Sequence, residues 1–137
     1  MKIRKLEKVP KEKRGHVNKN GIKPEPNEEK TFKYLTLFGF NIELIRPVNA
    51  TKIHNPDVLI MGTIWEVKTP TSHKENTIKN RFREASKQSS KIIFDLRFIS
   101  ERAKDVEKRI LELFGGNGRV RRLMIINHSG ELFDYIK

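Results

Sequence analysis

Asn55-Pro56-Asp57-Val58-Leu59-Ile60-Met61-Gly62-Thr63-Ile64-Trp65-Glu66-Val67-Lys68 is the stretch whose reading decides the fold. Two runs rich in β-branched and aromatic residues, 57–60 and 63–68, flank a Met-Gly pair, the pattern of a β-hairpin. Side chains alternate across a strand, so Glu66 and Lys68 share one face while Trp65 and Val67 take the other. A carboxylate and an ammonium inside a strand otherwise fit for burial conflict with core-making, and such conflicts tend to mark functional sites. Asp57 and Glu66, converging across the hairpin with Lys68 beside them, suit one divalent cation and a phosphodiester. An exposed hairpin with an ion-paired polar face is the plainer reading of the same letters.

Outward from the hairpin the chain is periodic. Asn27 has the chemistry of an N-cap, Glu28 and Glu29 fall in a first turn where the helix dipole favours anions, and Gly39 is placed to end that helix. Phe32, Leu35 and Phe38 supply its apolar stripe. A strand is expected from Phe40 to Arg46, closed by Pro47. Ser72-His73-Lys74-Glu75 reads as a capping box opening a second helix with Ile78, Phe82, Ala85 and Ser89 on one face. Ile92-Ile93-Phe94, within 91–98, is apolar enough for a strand buried on both faces. A third helix is expected over about 100–114, burying Ala103, Val106, Ile110 and Leu113 and stopped by Gly115-Gly116. Two strands, 120–126 and 132–136, then flank Asn127-His128-Ser129-Gly130. The fold class is therefore α/β, a mixed central sheet flanked by helices with core order αβββαβ.

The chain has 137 residues, 29 Lys and Arg against 17 Asp and Glu, a net charge of +12, and no cysteine. That length fits one domain burying roughly two-thirds of its unfolded surface. The charge points to a polyanionic partner, nucleic acid above all. No apolar run reaches the length of a membrane span, Met1-Lys2-Ile3-Arg4-Lys5 is not followed by a signal-peptide core, and disulfides and thiolate zinc sites are excluded. A cytoplasmic site of action is the simplest expectation. Nine cations between Lys2 and Lys23 face only Glu7 and Glu12, so seven of the net charges lie there. With few apolar residues and breakers at Pro10, Gly15, Gly21, Pro24 and Pro26, residues 1–26 read as a basic flexible tail, and 27–137 as the folded domain. Such a tail is either a solubilising extension or an arm that raises affinity for nucleic acid without reading sequence.

The order of these elements, with Asp57, Glu66 and Lys68 on the second and third strands, resembles the PD-(D/E)xK nucleases of the restriction-endonuclease-like fold. Within that fold the chain is similar to the C-terminal toxin domain of contact-dependent growth-inhibition (CdiA) proteins, often a tRNA nuclease. Glu29, Leu35, Gly39-Phe40, Asn55-Pro56-Asp57, Gly62, Glu66-Val67-Lys68 and Ala85-Ser86-Lys87-Gln88-Ser89 leading into Ile92-Ile93-Phe94-Asp95-Leu96 carry the likeness. It implies a metal-dependent nuclease acting on tRNA, with DNA cleavage by a mobile-element endonuclease as the alternative. It implies Mg²⁺ or Mn²⁺ held by Asp57, Glu66 and the Val67 carbonyl, and an acidic immunity protein as partner. The site of action would be the cytoplasm of a target cell. Such toxin domains end very large exported proteins, whereas this chain opens at Met1; an orphan module, an excised domain and a mobile-element nuclease each fit that.

Residue roles follow. A cation held by one or two carboxylates keeps several waters, polarises a phosphate oxygen and acidifies a bound water. Lys68 would orient or deprotonate that water or stabilise the phosphorane. The resemblance offers Glu29 as a further acid and Gln88 as a contact to phosphate or Lys68. A helix-start carboxylate and a solvated helix residue are their plainer readings. Lys79, Arg81, Arg83, Lys87 and Lys91 form either a solvated helical face or a phosphate-tracking surface. Arg119, Arg121 and Arg122 extend that surface or guard an edge strand. His16, His54, His73 and His128 lack metal-type spacing, and Ser72 is explained by capping. A basic nucleic-acid-binding module without catalysis is the reading from a different class.

Overall fold

The computed structural model describes residues 1–46 and 56–137; Pro47, His54 and Asn55 lie outside the described residues. The chain divides into two compact units, one of Met1–Leu6 with Glu66–Lys137, the other of Glu7–Trp65. In chain order the elements are β1 (Lys2–Leu6), β2 (Val17–Asn18), α1 (Pro26–Thr36), β3 (Ile42–Ile45), β4 (Asp57–Ile60), β5 (Thr63–Lys68), α2 (Glu75–Gln88), β6 (Lys91–Asp95), α3 (Ala103–Gly115), β7 (Arg122–Ile126) and β8 (Leu132–Ile136). The run α1-β3-β4-β5-α2-β6 reproduces the expected αβββαβ order, in a mixed α/β fold.

In the unit of residues 7–65, β2 runs parallel to β3, β3 antiparallel to β4, and β4 antiparallel to the first half of β5. Phe32 and Leu35 of α1 are fully buried with Ile42, Leu44, Ile60 and Trp65. The β4–β5 hairpin closes with Ile60 opposite Thr63, so its loop is the pair Met61-Gly62. Both loop residues have positive φ, +54° and +75°, as a primed two-residue turn requires. Gly62 takes this conformation freely, but Met61 holds it against a steric cost of about 1–2 kcal/mol. α1 starts two residues earlier than expected, with Glu25 and not Asn27 at the N-cap, because Pro26 presets the helical φ at the first position.

In the other unit, the second half of β5 runs parallel to β6, and β6 parallel to β7; β7, β8 and β1 follow antiparallel. Ile92, Ile93 and Phe94 are buried, as a strand covered on both faces demands. Phe82 of α2 stacks on Phe94 with ring centroids 6.2 Å apart. Ile78, Phe82 and Ala85 of α2 join Val106, Ile110 and Phe114 of α3 in one apolar core; Phe114, rather than the expected Leu113, takes the buried position. The expected capping box at Ser72 does not form. Ser72 Oγ accepts the Lys74 N–H at 3.1 Å, inside the turn before the helix, and α2 starts at Glu75 behind Lys74.

Residues 1–26 are not a flexible tail. β1 pairs with β8 along its whole length, from Lys2 opposite Ile136 to Leu6 opposite Leu132. Val9 N–H donates to the Leu37 carbonyl, Gly15 N–H to the Thr36 carbonyl, and the Asn20 side chain to the Leu44 carbonyl. Gly15 passes so close to the Phe40 carbonyl that a Cβ would lie 1.8 Å from its oxygen, so this glycine permits a close approach and does not mark a break. The apolar count missed this order because ladder hydrogen bonds and ion pairs hold the segment, with partners far along the chain.

Asp134 of β8 is the strongest of those partners. Its side chain is 0% exposed and accepts two hydrogen bonds from Arg122 (3.1 and 2.9 Å) and one from Arg4 of β1 (2.9 Å). Burial alone would raise its pKa, yet these guanidinium bonds and charges hold it below the ordinary carboxylate value. Arg122 therefore serves the interior of a sheet; β7 lies between β6 and β8 and is no edge.

Replacing Arg122 by Ala leaves the buried carboxylate with Arg4 alone and is expected to cost about 2–4 kcal/mol of unfolding free energy in denaturant titrations. Because the folded pKa of Asp134 is depressed, its contribution is complete above the unfolded value of about 3.9 and fades as pH falls through the lower folded value. Asp134→Asn should therefore lower stability at pH 7 and flatten the loss of stability below about pH 4. At the hairpin, Met61→Asn should raise stability by about 0.5–1 kcal/mol, since Asn tolerates the left-handed region.

Candidate active site

β5 alternates as its sequence requires. Trp65 and Val67 are buried, whereas Glu66 and Lys68 are half-buried on the opposite face. The Lys68 ammonium lies 3.8 Å from Glu66 Oε1 and 3.6 Å from Glu84 Oε2. Only 17% of the Lys68 side chain is exposed, so the cation is held near the strand and not extended into solvent. Glu84 itself is more open and sits 3.5 Å from Arg81, one turn earlier on α2. A chain of alternating charge, Glu66–Lys68–Glu84–Arg81, thus runs from the strand to the helix.

The sequence reading missed Glu84. Its signal was present: between Asn76 and Lys91 it is the single acid among Lys79, Arg81, Arg83, Lys87 and Lys91, and it lies one helical turn from Gln88. Gln88 ends α2 and is exposed. The cations Lys79, Arg81, Arg83 and Lys87 are exposed on α2, and Lys91 opens β6. Val67 points its side chain into the core, so a role for it falls to its backbone carbonyl.

Asp57 is the first residue of β4, half-buried, opposite Ile45 of β3. Glu29 lies in the first turn of α1, where it accepts a hydrogen bond from Lys19 and has Lys33 3.9 Å away. The Lys19 bond, opposed by burial and helped by the charges of Lys19, Lys33 and Lys23, holds the Glu29 carboxyl below its ordinary value. An ion-paired carboxylate of this kind keeps its negative charge and is a poor proton donor.

Among the described residues no group of three or more His, Cys, Asp or Glu side chains is placed to hold a metal ion. His73 pairs with Glu101 at 3.5 Å. It borders a cavity of about 780 Å³ beside α2 and α3 that neither Glu66 nor Lys68 lines. Asp95 and Asp134, the fully buried acids, are occupied by Arg97 and by Arg122 with Arg4, which makes them structural.

With this geometry in view, the comparisons with known proteins are informative. The family model of the contact-dependent growth inhibition CdiA C-terminal domain matches residues 54–132. Among solved structures, the chain is similar to one from a CdiA-CT/CdiI toxin and immunity complex of Burkholderia pseudomallei, with a TM-score of 0.67 and 18% identity. That likeness spans 90% of this chain and 100% of the other, and shows a shared fold. No curated protein matches. Since the family match takes in more than half of the chain, from the hairpin through α2 and α3 into β8, the chain belongs to the CdiA C-terminal domains, the toxin domains of contact-dependent growth inhibition.

Proposed function

We propose that this toxin domain is a metal-dependent nuclease that hydrolyses phosphodiester bonds, with tRNA as its favoured substrate. The observation that carries the reading is the polar face of β5, where Glu66 and Lys68 are held half-buried beside a helix rich in exposed cations. An ion pair kept at a strand surface over a buried Trp65 and Val67 gives nothing to the core, and it is what phosphate chemistry uses.

The donor set suits Mg²⁺ or Mn²⁺. The carboxylates of Asp57 and Glu66 and the carbonyl of Val67 are hard oxygen ligands, and a cation of this class accepts one or two carboxylates while keeping several waters. When bound, such an ion lowers the pKa of a water and draws charge from a phosphate oxygen. The chain's own residues do the remainder. Lys68, kept in place by Glu66, donates hydrogen bonds to the non-bridging oxygens as the water oxygen joins phosphorus and the bond to the leaving oxygen breaks. Lys79, Arg81, Arg83, Lys87 and Lys91 bind the backbone phosphates on either side of the scissile bond. Gln88, at the end of the same helix, supplies an amide to phosphate.

The net charge of +12 supports an acidic immunity protein as partner, in keeping with the toxin and immunity complex from which the similar structure comes. The proposed site of action is the cytoplasm of a target cell. A second reading draws on the ion pairs of Lys68 with both Glu66 and Glu84: an ordinary charged strand face on a nucleic-acid-binding module that does not cleave.

Incubating the protein with total tRNA and with plasmid DNA, with and without Mg²⁺, decides among these. Metal-dependent loss of intact tRNA is expected; binding with no cleavage of either substrate would leave the non-catalytic reading, and cleavage of plasmid alone the DNA endonuclease. Asp57→Asn and Glu66→Gln should each abolish cleavage with the circular-dichroism melt unchanged, and wild-type rates in either variant would remove that residue from the site. Lys68→Ala should slow cleavage by about a hundredfold or more while tRNA affinity changes far less. An equal loss of rate and affinity would make Lys68 a plain phosphate contact.

A further inference from the structure

One carboxylate oxygen is shared by two cations. Glu84 Oε2 lies 3.6 Å from the Lys68 ammonium and 3.5 Å from Arg81 Nη1. An anionic oxygen set between an ammonium and a guanidinium is the arrangement in which a nucleic-acid phosphate is bound. On α2 itself Glu84 follows Arg81 and precedes Lys87, each by three residues, whereas its contact with Lys68 reaches a different element.

We propose that Lys68 and Arg81 form a phosphate subsite, and that Glu84 occupies it in the substrate-free protein until a backbone phosphate displaces it. This rests on the nucleic-acid reading above and adds to it a subsite and a built-in competitor. Exchange is cheap. Glu84 and Arg81 are about half exposed, so moving the carboxylate out to solvent uncovers no core. Ion pairs of 3.5–3.6 Å at such exposure are weak. A phosphate carries its charge on oxygens able to approach both donors to about 2.7–2.9 Å. Lys68, with 17% of its side chain exposed, stays in place through the exchange because Glu66 holds it from the other side.

Equilibrium binding of the full chain to bulk tRNA, with metal chelated and salt varied, tests this with wild type, Glu84→Gln, Arg81→Ala and the double variant. Gln keeps the size and helix propensity of Glu and removes the competing charge. Glu84→Gln is expected to tighten binding about 3–10-fold near 0.1 M salt. It should also steepen the slope of log affinity against log salt by about 0.7–0.9, one further phosphate neutralised. Arg81→Ala in the Glu84→Gln background should erase most of that gain. Unchanged or weaker binding by a Glu84→Gln protein with a wild-type melt overturns the proposal, as does a gain that persists without Arg81. Loss of cleavage by wild type with these binding differences intact would overturn the nuclease reading and leave the subsite standing. A wild-type protein that does not bind tRNA overturns both.

Discussion

The two-residue alternation of β5 is the constraint on which the rest depends. A strand can bury Trp65 and Val67 only by turning Glu66 and Lys68 to its other face, so one short run makes core and candidate chemistry together. Burial fixes the register, because a slip of one residue would drive both charges into the interior. Glu66 lies opposite Ile92 and Lys68 opposite Phe94, so both charges sit on the part of the strand paired with β6 and not on a loop.

Charge plays two distinct parts in this basic chain. Asp134 and Asp95 are buried acids satisfied by guanidinium groups, and they fix strand ends and the N-terminal strand in place. Glu66 and Glu84 are partly open acids on a lysine, with longer and looser contacts. Buried pairs with good hydrogen bonds resist exchange because each partner, left alone, is an uncompensated charge in low dielectric. Open pairs at 3.5–3.8 Å are weak and can trade partners. Under the proposed function the two kinds divide the work, one holding the fold and the other yielding to substrate.

The N-terminal 26 residues show how far composition can mislead. They lack the apolar density of a core, yet β1 completes a ladder with β8, and Arg4 reaches an acid 130 positions away. Backbone groups carry the same hydrogen-bonding capacity in a polar segment as in an apolar one, so a sheet margin can be built from residues such as Lys2, Arg4 and Lys5. Lys19 likewise binds Glu29 and makes that carboxylate an ion-pair partner. Glu84 went unseen for a related reason: its distinction among the cations of α2 is visible in sequence, but its contact with Lys68 is not.

By itself the sequence determined what is local and periodic. The hairpin at Met61-Gly62, the strand face of Glu66 and Lys68, the buried run Ile92-Ile93-Phe94 and the αβββαβ order are all consequences of alternation, turn chemistry and apolar spacing. Only the tertiary structure decided which distant charges meet: Arg4 and Arg122 on Asp134, Lys19 on Glu29, and Glu84 between Lys68 and Arg81. Periodicity is a property of neighbours along the chain. Ion pairing depends on separation in space, which is fixed only once strands and helices have packed.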